Sequence, residues 1–172
     1  MAEVDHTWIG WLRLSKEYLD AALLLHSHQK EELVLSEPTT FLYHHSAELL
    51  LKTYLMSSSV APAKLQEIGH RTSKLVYECK LEGLYLSEAT EAYLAAIPDT
   101  GGQVELRYFR EGIHRRMRQD AVRSVAVSSY VIIAKQSFER SEFSMPNWQK
   151  NQLLFLERDF VNSTENLDPN GY

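Results

Sequence analysis

The string His44-His45-Ser46-Ala47-Glu48-Leu49-Leu50-Leu51-Lys52 decides how the rest of the chain is read. Three consecutive leucines cannot share one face of a helix. A helix carrying them is apolar almost all round, which places it at the centre of a bundle. Glu48 stands four residues before Lys52, the favourable orientation for an ion pair along a helix. In such apolar surroundings both charges need partners or an exit to solvent. Spacing alone leaves two readings open, a pair satisfied within the bundle or part of a chemical site.

Outward from that string the pattern stays helical. The central helix is predicted from Thr39 to Met56, started by Ser36-Glu37-Pro38 and stopped by Ser57-Ser58-Ser59. Before it, Trp8, Leu12, Ser15, Leu19 and Ala22 recur at steps of three and four. Arg13, Lys16, Glu17 and Asp20 fall largely on the other face, so a first amphipathic helix of about five turns is expected. After it, a short helix should follow Pro62 and break at Gly69, and Thr72 or Ser73 should cap a segment through Leu75, Val76 and Cys79. Ser87 should start another helix carrying Ala89, Tyr93, Leu94 and Ile97 until Pro98, and Asp99-Thr100-Gly101-Gly102 is a loop. The longest helix is predicted over 113–139, with Ala121, Val125, Ser128, Val131, Ile132 and the stem of Lys135 inward. Trp148 to Phe160 reads as a short final helix with Leu153, Leu156 and Phe160. The chain is thus expected to be one all-α, up-and-down helical bundle over 1–160 with an extra short C-terminal helix. A polar, disordered tail is expected over 161–172.

Composition agrees with that class. The 172 residues are 44% hydrophobic and 24% charged, enough to bury a core in one domain. A single cysteine, Cys79, excludes an internal disulfide and multi-cysteine metal sites. The acidic start and the absence of a long apolar run point to a cytoplasmic protein. The net charge of −5 argues against a general nucleic-acid coat, but it is uneven. Residues 106–123 hold six arginines (107, 110, 115, 116, 118 and 123) against Glu111 and Asp120, a local +4 on a remainder of −9. Such a block is either an anion-binding site or a solvated helix start.

The central string, followed by Gly69-His70 and Leu75, resembles the HEPN family, whose second helix reads aromatic-x-x-His/Gln-x-Ala-Glu-x-x-x-Lys. The resemblance spans most of the chain, from Trp11 to Lys135, and an Arg-Tyr pair near the last long helix is matched by Arg107-Tyr108. It implies a HEPN-type bundle, a two-fold homodimer, and a role in RNA cleavage, nucleotide binding or toxin–antitoxin biology. An antitoxin or nucleotidyltransferase partner fits the same reading. Ribonuclease members are similar in carrying Arg-x(4–6)-His at the start of the last core helix, which Arg107 and His114 satisfy at six intervening residues. A histidine there can move the proton of a 2′-hydroxyl or a leaving group, and the arginine can steady the phosphate, with no metal or cofactor required. Tyr108 stands where active members carry a polar residue, and Gly112 lies inside the segment, so Arg107 can equally be the structural Arg-Tyr pair. Arg110, Arg115, Arg116, Tyr108, Glu48, Lys52 and His70 are the candidate binding residues. The rival reading is a non-catalytic HEPN dimer that docks an acidic protein. The Val125–Ile132 stretch, apolar on more than one face, is the expected dimer surface.

Other constellations weigh less. Glu67-x-x-His70 and Glu111-x-x-His114 match a di-iron spacing, but each lies at a loop–helix junction and contains a glycine. His26-x-His28 suits a solvated helix C-terminus, and Cys79 lacks any activating neighbour in sequence. Trp8, Trp11 and Trp148 read as core or interface anchors. No Gly-rich phosphate loop occurs.

Overall fold

The computed structural model describes residues 7–28, 36–97, 119–141 and 143–165. Those residues form seven helices and no strand: α1 (Trp8–Ser27), α2 (Ser36–Ser57), α3 (Pro62–Ile68), α4 (Thr72–Leu81), α5 (Glu88–Ala96), α6 (Gln119–Arg140) and α7 (Asn147–Glu165). α2 is the central element, packed along α1 on one side and against α6 and α4 on others. Its Tyr43, Ala47, Leu49, Leu50, Leu51, Tyr54 and Leu55 are all buried, as the leucine run requires. No helix among the described residues is long and apolar enough to cross a membrane.

α1 buries Trp8, Leu12, Ser15, Leu19 and Ala22, the five residues its periodicity selects, and Thr7 caps it by accepting from Gly10 N at 3.2 Å. α1 and α2 are bonded to each other through serines. Ser15 Oγ donates to Ser46 O at 2.9 Å, and Ser46 Oγ donates to Ser15 O at 2.8 Å. Both residues are buried, and small side chains there let the two backbones come together while every hydroxyl finds an acceptor.

Several boundaries differ from expectation. α2 begins at Ser36, earlier than Thr39, so Ser36 is its first residue. Its end follows the serine run: Ser57 Oγ and Ser58 Oγ both donate to Tyr54 O, and Ser59 turns the chain at φ +62°. Arg71, not Thr72 or Ser73, is the N-cap of α4, because Thr72 already lies in the helix with its side chain in the core. Ser87 caps α5 as expected, accepting from Thr90 N at 3.3 Å, but Thr90 rather than Ala89 shares the inner face with Tyr93 and Leu94. The last helix is not short. α7 runs from Asn147 past Phe160 to Glu165, so its end takes in the first residues expected to be tail, and it buries Gln149, Leu153 and Leu156.

The inner face of α6 is rotated from the expected one. Val122, Ala126, Ser129, Tyr130, Ile133, Ala134, Ser137 and Phe138 are buried, whereas Ala121 is exposed and Val125, Ser128, Ile132 and Lys135 are only half-buried. Of the expected stripe Val131 alone is buried. The valine–isoleucine run offers apolar residues on both sides, so hydrophobicity does not fix its rotation. The aromatic residues do: Phe138 meets the ring of Trp8 edge-on at 4.8 Å, and Tyr130 accepts from the buried Gln149 at 3.3 Å. Ser129 and Ser137 tolerate burial by donating to the carbonyls of Val125 and Ile133 one turn back. Lys135 turns outward to pair with Glu157 of α7.

Candidate functional site

The densest cluster of ionisable groups among the described residues surrounds Glu48. Glu48 lies on α2 and has no exposed surface. Lys52 Nζ donates to Glu48 Oε1 at 2.7 Å, and His70 Nδ1 lies 2.8 Å from the same oxygen. His45 Nδ1 is 3.9 Å from Glu48 Oε2. Lys52 is buried too, and its ammonium lies 5.7 Å from the centre of the Trp11 ring, a cation–π contact contributed by α1. His45 is packed edge-on against Tyr18 at 4.3 Å and stacked on Phe41 at 5.8 Å.

Local folding explains how His70 arrives. α3 ends at Ile68, Gly69 adopts φ +66°, and the turn that follows swings His70 over the middle of α2. Burial pushes the Glu48 carboxyl upward, but the hydrogen bond and charge of Lys52, joined by those of His70, outweigh it and hold the carboxyl below its ordinary range. An ionised carboxylate only accepts, so Nδ1 of His70 carries the hydrogen of their bond. Nε2 is then the nitrogen left outside, on a side chain that is 59% exposed.

The three candidate residues Glu48, Lys52 and His70 therefore share one oxygen atom. Arg107, Tyr108, Arg110, His114, Arg115 and Arg116 lie outside the described residues. His45 and Trp11 belong to the cluster without having been singled out for it. His45 was legible as a position one turn before Glu48, whereas the place of Trp11 depends on how α1 lies on α2.

Glu111-x-x-His114 lies outside the described residues, and the motifs within them resolve as structure. Glu67 faces Lys74 at 3.9 Å rather than His70, and no group of three metal-binding side chains occurs among the described residues. Cys79 is fully buried with its thiol directed at Leu51 O at 3.4 Å, and burial pushes its pKa well up, which keeps it unreactive. His26 Nε2 lies 3.2 Å from Asp120 at the start of α6, and His28 forms the C-cap of α1. Trp8 is a core anchor, while Trp148 lies near the surface beneath the Arg13 guanidinium.

His44, next to His45, points the other way into the core. Burial lowers its pKa to about 4, so it is neutral, and its Nδ1 has no hydrogen-bond partner among the described residues. Its ring lies 6.0 Å from that of Tyr93, which is buried as well. No family model, no curated protein and no solved structure matches the chain.

Proposed function

We propose that the chain is a HEPN-type domain of a defence or toxin–antitoxin system that binds RNA through its arginine-rich segment and cleaves it without a metal. The observation that carries the reading is the meeting at Glu48 Oε1. The helix motif (Glu48 and Lys52) and the Gly-His dipeptide (Gly69-His70) are separate strings in sequence, yet their polar residues bond to one atom. Two strings that carry a resemblance and also meet at one buried carboxylate support a shared architecture more than either does alone.

In this reading Arg107 steadies the phosphate and His114 transfers the proton, while Arg110, Arg115 and Arg116 hold the backbone of the RNA. The attacking group is the 2′-hydroxyl of the substrate itself. Purified protein should then cut single-stranded RNA in the presence of EDTA and leave 2′,3′-cyclic phosphate ends, and His114→Ala should abolish cutting. Arg107→Ala should lose about 100- to 1,000-fold, the usual effect of removing an electrostatic stabiliser. Protein that never cuts, or cutting that survives His114→Ala, overturns the nuclease assignment.

A second reading, the non-catalytic dimer that docks a protein, is favoured by the shallow face where α6 and α7 meet. Val127, Ser128, Val131 and Ile132 line a shallow apolar groove beside Glu157, and Leu154 and Phe155 are exposed on α7. Half-buried Ser128 and Ile132, together with the exposed Leu154 and Phe155, offer a surface to a second copy of the chain. Sedimentation equilibrium at micromolar concentration tests it: a dimer is expected, and a 19.9 kDa species alone removes this reading.

A further inference from the structure

We propose that His70 is a phosphoryl-accepting histidine, a modification site built by Glu48 and the start of α4. Three features of one imidazole lead there. Its Nδ1–H is held at 2.8 Å by a carboxylate that is itself fully buried, so the ring is fixed and its tautomer set. Its Nε2 has no bond among the described residues, and the side chain is 59% exposed, so the nucleophilic nitrogen faces solvent. A carboxylate on the far nitrogen also orients the ring and keeps the lone pair on the near one, as it does for metal-bound and catalytic histidines.

The surroundings suit a group that becomes anionic. His70 lies immediately before the N-cap Arg71 of α4, and that ten-residue helix has no side-chain cap and no acidic residue in its first turn. The positive end of the helix is therefore not neutralised by its own sequence. Arg71 stays close, with its guanidinium folded onto the carbonyls of Glu67 and Ile68 at 2.8 and 3.0 Å, and Lys74 follows one turn into the helix. The negative charge of Glu48 is offset by its bond to Lys52.

The reaction balances without any redox partner. The Nε2 lone pair attacks the phosphorus of an N-phosphoryl donor, forming a phosphorus–nitrogen bond. The donor's own phosphorus–nitrogen bond breaks, and its nitrogen leaves as an amine that takes a proton from water. Nδ1 keeps its hydrogen, donated to Glu48, throughout. The step involves neither the arginine segment nor RNA, and it stands apart from the reading above.

The chain contains its own control. Nδ1 of His28 is held by Leu24 O at 2.9 Å and Ser27 Oγ at 3.1 Å, so it too leaves Nε2 outward on an exposed residue. It lacks the carboxylate and lies at the C-terminus of a helix, the electrostatically wrong end. The full chain should be incubated with phosphoramidate and followed by phosphorus NMR and by peptide mass spectrometry at alkaline pH. His70 is expected to be modified at least ~10-fold faster than His28, because it alone has an orienting base. His70→Gln, which keeps a donor for Glu48, should lose that site while retaining the helical circular dichroism. Glu48→Gln should slow His70 towards the rate of His28. Equal rates at the two histidines in the wild-type chain, or an unchanged His70 rate in a folded Glu48→Gln variant, would overturn the proposal.

Discussion

Lys52 donates to Glu48 across one turn of α2, and neither side chain leaves the core to do so. A pair of this kind is costly to form and more costly to break, since removing one partner strands the other charge away from water. Glu48→Ala should therefore destabilise the protein by about 3–5 kcal/mol in urea melts. The Lys16–Asp20 pair has the same four-residue spacing on α1, but Asp20 is exposed, and Asp20→Ala should cost no more than about 1 kcal/mol. Equal costs at the two sites would contradict the burial of Glu48.

The buried His44 sets a pH dependence. Its folded pKa of about 4 lies below its ordinary 6.5, so between those values the unfolded chain binds the proton and the folded one does not. Its contribution is fully present above pH 6.5 and is lost as pH falls towards 4, by up to about 3 kcal/mol. His44→Leu should flatten the stability curve through that window. Glu48, whose carboxyl is held below 4.5, gives way only in stronger acid, so chemical melts at pH 7, 6 and 5 isolate the histidine.

RNA binding has its own signature. If about four arginines of the 107–123 segment contact phosphates, log affinity should fall with log salt at a slope near −3, from about −0.7 per single-strand phosphate. Arg115→Ala combined with Arg116→Ala should make the slope shallower by about 1.4, by the same rule. Fluorescence anisotropy with a labelled single-stranded RNA measures both, and no binding at low salt would leave the protein-docking reading in its place.

Gln136 on α6 grips the backbone of Tyr85 on both sides, accepting from its N–H at 2.9 Å and donating to its carbonyl at 2.7 Å. Leu84 and Leu86 are buried on either side while Tyr85 is exposed. Gln136→Ala should cost about 1–2 kcal/mol, two ordinary hydrogen bonds partly replaced by water. Amide exchange at Tyr85 should quicken while the amides of α2 keep their protection. Slow exchange at Tyr85 in the variant would show that the leucines alone hold the loop.

How much of this was legible in the chain depended on where polar residues mark an outside. The face of α1 could be read because Arg13, Lys16, Glu17 and Asp20 label its solvent side. The face of α6 could not, because Val125 to Ile133 is apolar on both sides and its rotation is set by Phe138 against Trp8, a contact distant in sequence. The same division runs through the site. Glu48 and Lys52 are visible as a four-residue spacing on one helix. His70 is tied to Glu48 only through a resemblance, since its own spacing pointed to Glu67, and Trp11 joins only once α1 lies on α2. Arg71 displaced Thr72 as a cap because the core claimed the threonine, a tertiary demand that local capping preferences do not contain.

The paired bonds between Ser15 and Ser46 act as an index mark between two rods. Much of what α1 lays against α2 is leucine, alanine and tyrosine, and apolar surfaces tolerate sliding, because the energy of burial has little direction. Hydrogen bonds that run both ways between two serines admit one alignment. That alignment puts Trp11 over Lys52 on one side of the crossing and Tyr18 against His45 on the other. Displacing either helix by one turn would break both bonds and carry the aromatic walls away from the charged centre. The chemistry around Glu48 is thus calibrated from a point that carries no charge at all.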